Sequence, residues 1–396
     1  MIAPTRPTVT MPAVPTLSSL PSGDGVLPNQ WLAAAISEGV VDAAAFTIPA
    51  ANIQPASVDL RLGEVGYRMR CSFLPDRYAV EDRIDDLVLE KLDLHRDGVV
   101  LEPGRPYLIP LKEQLALPTS FRGKANPKSS TGRLDVFTRL ITDGSYRFDE
   151  IAAGYQGRLY LEVVPLSFPI RVREDLTLNQ LRLSVGRSAV SDDEVRAIHQ
   201  TSPLLYEEGR PVADADLAVS NGLFLSLDLR GQSAGGWVGY RARENTALLD
   251  LTRSGSFERD EYWEQVRREE GNRIVLSPKR FYLLLSKEAV TIPPSLAAEM
   301  TAYDPTSGEL RTHYAGFFDP GFGYDPSGGF HGSRAALEVR AHDVPFMIED
   351  GQPVCKLTFE RMLEPPTALY GPDIGSSYQQ QQDTLGKQFT PPAKAE

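Results

Sequence analysis

The run Asn126-Pro127-Lys128-Ser129-Ser130-Thr131-Gly132-Arg133 brings two cations, several hydroxyls and a glycine into a few residues. Backbone N–H groups, hydroxyls and a forked guanidinium together suit an oxyanion such as a phosphate chain. On its own, such a run is also an ordinary polar hairpin turn. About thirty residues on, Gly157-Arg158-Leu159-Tyr160-Leu161-Glu162-Val163 carries one carboxylate inside an apolar stretch. Period-2 alternation allows Glu162 to point outward between inward Leu161 and Val163. It equally allows a partly buried carboxylate that could serve as a general base.

The elements that must position these residues are short. Leu27 to Gly39 reads as an amphipathic helix, with Trp31, Leu32, Ala35 and Ile36 at helical spacing and Gly39 as a stop. Apolar or alternating runs follow at Val99–Leu101, Pro106–Leu111, Leu134–Leu140, Arg158–Val164, Pro169–Val172 and Thr177–Leu183. Gly, Pro and Asp separate them, as expected of a closed or nearly closed β architecture. Ser191 before Asp192-Asp193-Glu194 marks a short helix within an inter-domain connection.

The pattern then restarts. Ser57-Val58-Asp59-Leu60-Arg61 recurs as Ser226-Leu227-Asp228-Leu229-Arg230, Lys112-Glu113 as Lys287-Glu288, and Pro118 as Pro293. Pro127-Lys128-Ser129-Ser130 recurs as Pro305-Thr306-Ser307-Gly308, and Leu161-Glu162-Val163 as Leu337-Glu338-Val339. The second loop has lost its cation, and Glu309 replaces Thr131, although Arg311 survives. Conversely, Asp319-Pro320-Gly321-Phe322 stands where the first copy has Ala152-Ala153-Gly154-Tyr155. Each copy lacks something that the other keeps. The boundaries expected are a disordered 1–25, a first repeat 26–187, a linker 188–218, a second repeat 219–365 and a tail 366–396 with a disordered end.

The 396 residues exceed one ordinary core and suit two domains. A net charge of −12 argues against a nucleic-acid surface, and no apolar run approaches the roughly 20 residues of a membrane span. Two distant cysteines, Cys71 and Cys355, form no disulfide framework, so a cytoplasmic location is expected. There is no Cys-x-x-Cys and no His-x-Glu, and the five histidines show no metal spacing.

These residues resemble the dCTP deaminase and dUTPase superfamily, and dCTP deaminase most of all. Gln54 to Gly63 matches the opening Q-x-x-S-V-D-L-R-L-G segment. Lys128 to Arg133 matches the R-S-S-x-x-R loop, with Lys in place of the first Arg. Ala152 to Glu162 matches D-P-G-[WF]-x-G-x-x-x-L-E, without its Asp. Tyr370, Tyr378 and Gln381 match the tail. The resemblance spans most of the chain.

It implies a mainly β chain of two tandem dUTPase-like distorted β-barrel (β-clip) domains with a few short helices. It implies zinc-independent deamination of dCTP to dUTP, with Glu162 as catalytic carboxylate and Ser129 and Arg133 holding the attacking water. Lys128, Ser130, Asp319, Tyr370, Tyr378 and Gln381 would bind substrate, and Glu338 is the rival carboxylate. The family's Asp contacts the sugar, so Ala152 is a gap that Asp143, Asp149 or Glu150 could fill. Asp59 and Asp228 read as structural. No cofactor is implied beyond Mg2+ carried by the triphosphate. The partners implied are dCTP or dUTP, with dTTP as a regulator left open, and a homo-oligomer with inter-lobe sites. A dUTPase, a bifunctional enzyme, or a non-catalytic nucleotide-binding duplicate remain the alternatives.

Overall fold

A computed structural model describes residues 14–231, 236–302, 310–312, 316–341, 343–381 and 383–391. Thr306, Gly308 and Glu309, where the second loop has diverged, lie outside the described residues. The chain is mainly β, with few helices.

The first half is built on two sheets. One has the strand Thr177–Val185 at its centre, flanked by Val58–Arg61 and Phe121–Pro127. The other has Gln156–Pro165 between Tyr107–Ala116 and Val136–Ile141. The second half follows the same plan. Pro353–Arg361 lies between Leu223–Ser226 and Leu296–Ala302, and Phe281–Val290 pairs with Trp237–Ala242 and Ser333–Ala341. The runs expected as strands all appear, with ends that differ by up to a few residues.

One repeat match shifts. The backbone N–H of Arg61 donates to Glu113, and that of Ser226 donates to Glu288. Val58–Arg61 therefore corresponds to Leu223–Ser226, not to Leu227–Arg230. The shared S-x-D-L-R string lies four positions out of register, and the true counterpart of Asp59 is Phe224.

The expected linker is also folded into the second half. Helix Asp192–Thr201 starts on a full capping box from Ser191 and Glu194. Leu205–Glu207 then pairs with Phe281–Val290, as Val41–Asp42 after helix Asn29–Ser37 pairs with Tyr107–Ala116. At the N-terminus, residues 1–13 lie outside the described residues. From residue 14 the chain is held: Leu17 N–H donates to Glu38 and Gly25–Val26 joins a sheet.

The halves share one core. Tyr262, Trp263, Phe281 and Leu283 of the second half cluster with Leu134, Val136 and Phe168 of the first. Leu249–Asp250 adds a parallel strand to Ile170–Val172. Each large side chain buried here contributes about 1.5–3 kcal/mol, so the relation between halves is held by packing.

The chain end, expected to be disordered, packs onto this core through Leu385 and Phe389. Leu385 and Phe389 are buried, and the Phe389 ring lies 5.6 Å from Tyr262 and 5.9 Å from Trp263. Arg259 donates to Asp383 at 2.7 Å. Polar composition suggested mobility here, but two apolar side chains and a run of backbone hydrogen bonds to Gly255, Ser256 and Phe257 decide otherwise.

Candidate active site

The cationic loop follows the strand Phe121–Pro127 directly. Lys128 is extended, its N–H donates to Leu178 O, and its own carbonyl accepts from Thr131 and Gly132. This winds Ser129–Gly132 into one helical turn whose back is buried. Lys128 Nζ pairs with Asp59 and donates to Thr177 Oγ1 at 3.0 Å. Asp59, expected to be structural, thus lies in the cleft wall. Its other carboxylate oxygen is buried without a partner.

The carboxylate facing this loop is Glu338, not Glu162. The strand Ser333–Ala341 of the second half carries Glu338 against Gly132, where an added Cβ would sit 2.6 Å from Glu338 Oε2. Gly132 is therefore required by close approach rather than by backbone freedom. Burial pushes the Glu338 carboxyl up to about 8, against the attraction of Arg133 and with repulsion from Asp135. That is the range a general acid–base needs.

Glu162 occupies the corresponding strand of the first half, but its register puts Arg139 directly opposite. Arg139 Nε donates to Glu162 Oε1 at 2.9 Å and Nη2 donates to the same oxygen. The guanidinium is stacked 3.8 Å from the Phe148 ring centroid. Glu162 is buried and neutralised within its own lobe, away from Ser129 and Arg133 of this chain. Both glutamates share one sequence context, so alternation could not separate them.

The tail closes the cleft. Arg133 lies 3.7 Å from the Tyr378 ring centroid and donates to Gln381 Oε1 at 2.6 Å. Tyr370 OH accepts from Tyr378 N–H at 3.2 Å. Tyr370 N–H donates to Pro320 O at 2.8 Å, which brings the tail backbone hard against Gly321. Gly321 has φ +102°, and a Cβ there would meet Tyr370 N at 2.6 Å.

Asp319 opens this turn and lines the cleft with Lys128, Ser129, Phe317 and the two tyrosines. Burial raises its carboxyl to about 6, opposed by Arg182 and assisted by Asp59. Ser130 stands at the outer end with Ser376, Ser377 and Lys387. Burial and the neighbouring Lys128 hold the Lys387 ammonium below the usual lysine range.

Lys387 and Arg182 escaped sequence reasoning. Lys387 lies beyond the tail motif, in a segment taken as disordered. Arg182 is one charge in an otherwise ordinary strand. The three acids offered in place of the missing Asp do not reach this cleft. Asp143 accepts from Val80 N–H, Asp149 from Leu140 N–H, and Glu150 pairs with Arg147.

Chemically, the cleft joins a raised-pKa carboxylate, a guanidinium and the Ser129 hydroxyl at one end to two lysines and three serine hydroxyls at the other. Such an arrangement suits a polyanionic ligand whose far end exchanges protons.

The sequence comparisons agree with this class. The description "2'-deoxycytidine 5'-triphosphate deaminase (DCD) N-terminal domain" matches residues 23–187, and the C-terminal domain of the same family matches 191–389. The chain belongs to the 2'-deoxycytidine 5'-triphosphate deaminase family.

The crystal structure of 2'-deoxycytidine 5'-triphosphate deaminase from Agrobacterium tumefaciens superposes with a TM-score of 0.82 at 43% identity. It covers 89% of this chain and 99% of that one. A "dCTP deaminase, dUMP-forming" of Halobacterium salinarum is 29% identical over 158 residues, 39% of this chain and 78% of its own. A "dCTP deaminase" of Natronomonas pharaonis is 34% identical over 126 residues, 31% of this chain and 60% of its own. No helix of the described residues is long and apolar enough to cross a membrane.

Proposed function

We propose that this chain deaminates dCTP hydrolytically, releasing ammonia and dUTP, at a site assembled from both of its halves. The first half contributes Lys128, Ser129, Ser130 and Arg133. The second contributes Asp319, Glu338 and the tail residues Tyr370, Tyr378 and Gln381. The observation that carries this reading is the approach of the Glu338 carboxylate to the loop at Gly132.

In this mechanism Glu338 takes a proton from water as the oxygen attacks C4 of the cytosine. It then returns that proton to the departing amino group; the C4–N bond breaks to release ammonia, and the remaining hydroxyl proton ends on N3 as C4=O forms. A carboxyl near 8 can do both at neutral pH, because neither protonation state is far away in free energy. Ser129 and Arg133 orient the water and stabilise charge on the base. Arg133 is held for this by Tyr378 and Gln381, so tail closure and assembly of the catalytic groups are one event. Asp319 receives the sugar.

The triphosphate, with its Mg2+ held mainly by phosphate oxygens and water, lies toward Lys128, Ser130 and Lys387. Its charge replaces Asp59 as the partner of Lys128. Tandem dUTPase-like barrels and duplication of one ancestral unit account for the shared strand plan. Every contributor comes from one chain, so assembly into a homo-oligomer is separate from building the site.

The deciding measurement is ammonia release from dCTP by wild type and by Glu338→Gln. Wild-type release that Glu338→Gln abolishes supports the reading; release undiminished in that variant overturns it. A second reading carries the product on to dUMP, as the names of the Halobacterium and Methanobrevibacter smithii relatives suggest. Pyrophosphate formed in step with ammonia would select it.

A further inference from the structure

Arg182 sits on the strand Thr177–Val185 of the first half, yet its side chain reaches Ala298, Phe317, Asp319 and Glu360 of the second. Its side chain is 2% exposed. Nη2 lies 3.4 Å from Asp319 Oδ1, and Nη1 lies 3.0 Å from Glu360 Oε2 and 3.3 Å from Ala298 O. The guanidinium carbon stacks 3.9 Å from the Phe317 ring centroid. Phe317 and Asp319 both line the cleft.

Mere adhesion between lobes does not call for this arrangement. A buried ion pair is often no more stabilising than well-packed apolar groups of similar volume. What an apolar side chain could not do is orient a carboxylate. We propose that Arg182 of the first half is a positioning residue that fixes the ionised Asp319 carboxylate of the second half at the sugar end of the cleft. This rests on the reading of Asp319 as the sugar contact.

The surroundings of Asp319 give the arginine a task. Asp59 faces it from the strand Val58–Arg61 and repels its charge, while Tyr370 packs beside it from the tail. Lys128 and Lys387 stand across the cleft. Glu360 shares the arginine from the strand Pro353–Arg361. Even with Arg182 present, burial lifts Asp319 to about 6. Without it the carboxyl would hold its proton at neutral pH and lose half of its capacity to accept from a sugar hydroxyl. The stacked Phe317 fixes the plane of the guanidinium, which a lysine could not share.

The test is steady-state ammonia release from dCTP between pH 5.5 and 9 by full-length wild type, Arg182→Met, Arg182→Lys and Glu360→Gln. Arg182→Met should raise KM for dCTP about tenfold at pH 7, the loss of one charge-assisted hydrogen bond. Its acid limb of kcat/KM should steepen at a higher pH than in wild type. Arg182→Lys should recover part of both. Glu360→Gln removes the other carboxylate and should leave the limb in place.

A wild-type KM and acid limb in Arg182→Met would overturn the proposal. So would an equal shift in Glu360→Gln, because the arginine would then only hold the lobes together. If wild type releases no ammonia, the functional reading fails instead. The dCTP-induced thermal shift then decides the Arg182 question: a shift weakened in Arg182→Met toward low pH supports it, and an unchanged one overturns it.

Discussion

Gly132 of the first half and Glu338 of the second approach so closely that a methyl group on the glycine would stand 2.6 Å from Glu338 Oε2. This contact joins the cationic loop of the first half to the carboxylate that we propose handles the proton. Gly132→Ala keeps a helical backbone that alanine accepts, so the fold should survive. The carboxylate must move, and a displacement of about 1 Å in a catalytic group can cost ~100-fold in rate. Circular dichroism should match wild type while ammonia release falls by about that factor.

The two candidate glutamates should separate cleanly. Glu338→Gln should lower turnover by ~1000-fold, the scale of general acid–base catalysis. Glu162→Gln should leave turnover within about threefold, since Glu162 is engaged by Arg139 and not by the cleft. Loss of activity in Glu162→Gln with Glu338→Gln intact would reverse the assignment.

Glu338 should also cost the apo-protein stability. Its folded carboxyl is raised to about 8 from an ordinary 4.5, so between those values the native state holds a proton that the unfolded chain releases. Stability therefore falls as pH rises through this window, and the penalty is absent only below about 4.5, where the unfolded chain is protonated too. Glu338→Gln removes the penalty. Its melting temperature should exceed that of wild type at pH 7, by the equivalent of up to about 3 kcal/mol, and the difference should shrink toward pH 5. In the same window, kcat/KM of wild type should climb toward pH 8 as the base form of Glu338 accumulates.

The tail should act through affinity. Lys387→Ala should raise KM for dCTP about tenfold with little change in kcat, because a phosphate contact is made equally in ground and transition states. Phe389→Ala should do the same indirectly, by undocking the segment that carries Lys387 from Tyr262 and Trp263. An unchanged KM in both variants would remove the tail end from the site.

In the proposed site both halves come from one chain, so specific activity should not fall on dilution. Ammonia release followed across a hundredfold range of protein concentration, beside light scattering, checks this. A loss of activity that tracks dissociation would show that a second chain completes the site.

Much was legible in the residue order. The strands declared themselves by alternation between Gly, Pro and Asp, and Ser191 with Glu194 announced its helix through a local capping pattern. The loop Lys128–Arg133, the tail Tyr370–Gln381 and the complementary losses in the two copies all pointed to a nucleotide cleft. These signals are local, since each needs only a few neighbouring residues to be recognised.

What the sequence could not supply is which of two equivalent positions meets which. Leu161-Glu162-Val163 and Leu337-Glu338-Val339 have the same pattern. Only the placement of Arg139 on a neighbouring strand neutralises one, and only the packing of the halves delivers the other to Gly132. The shared S-x-D-L-R string misled for a related reason, because a strand's register is set by its partners, here Glu113 and Glu288, and not by its own letters. Lys387 and Arg182 were silent because their roles depend on contacts made far along the chain. Local propensity and pattern determined the elements and the kind of chemistry; the burial of one lobe against the other decided which carboxylate faces the cationic loop.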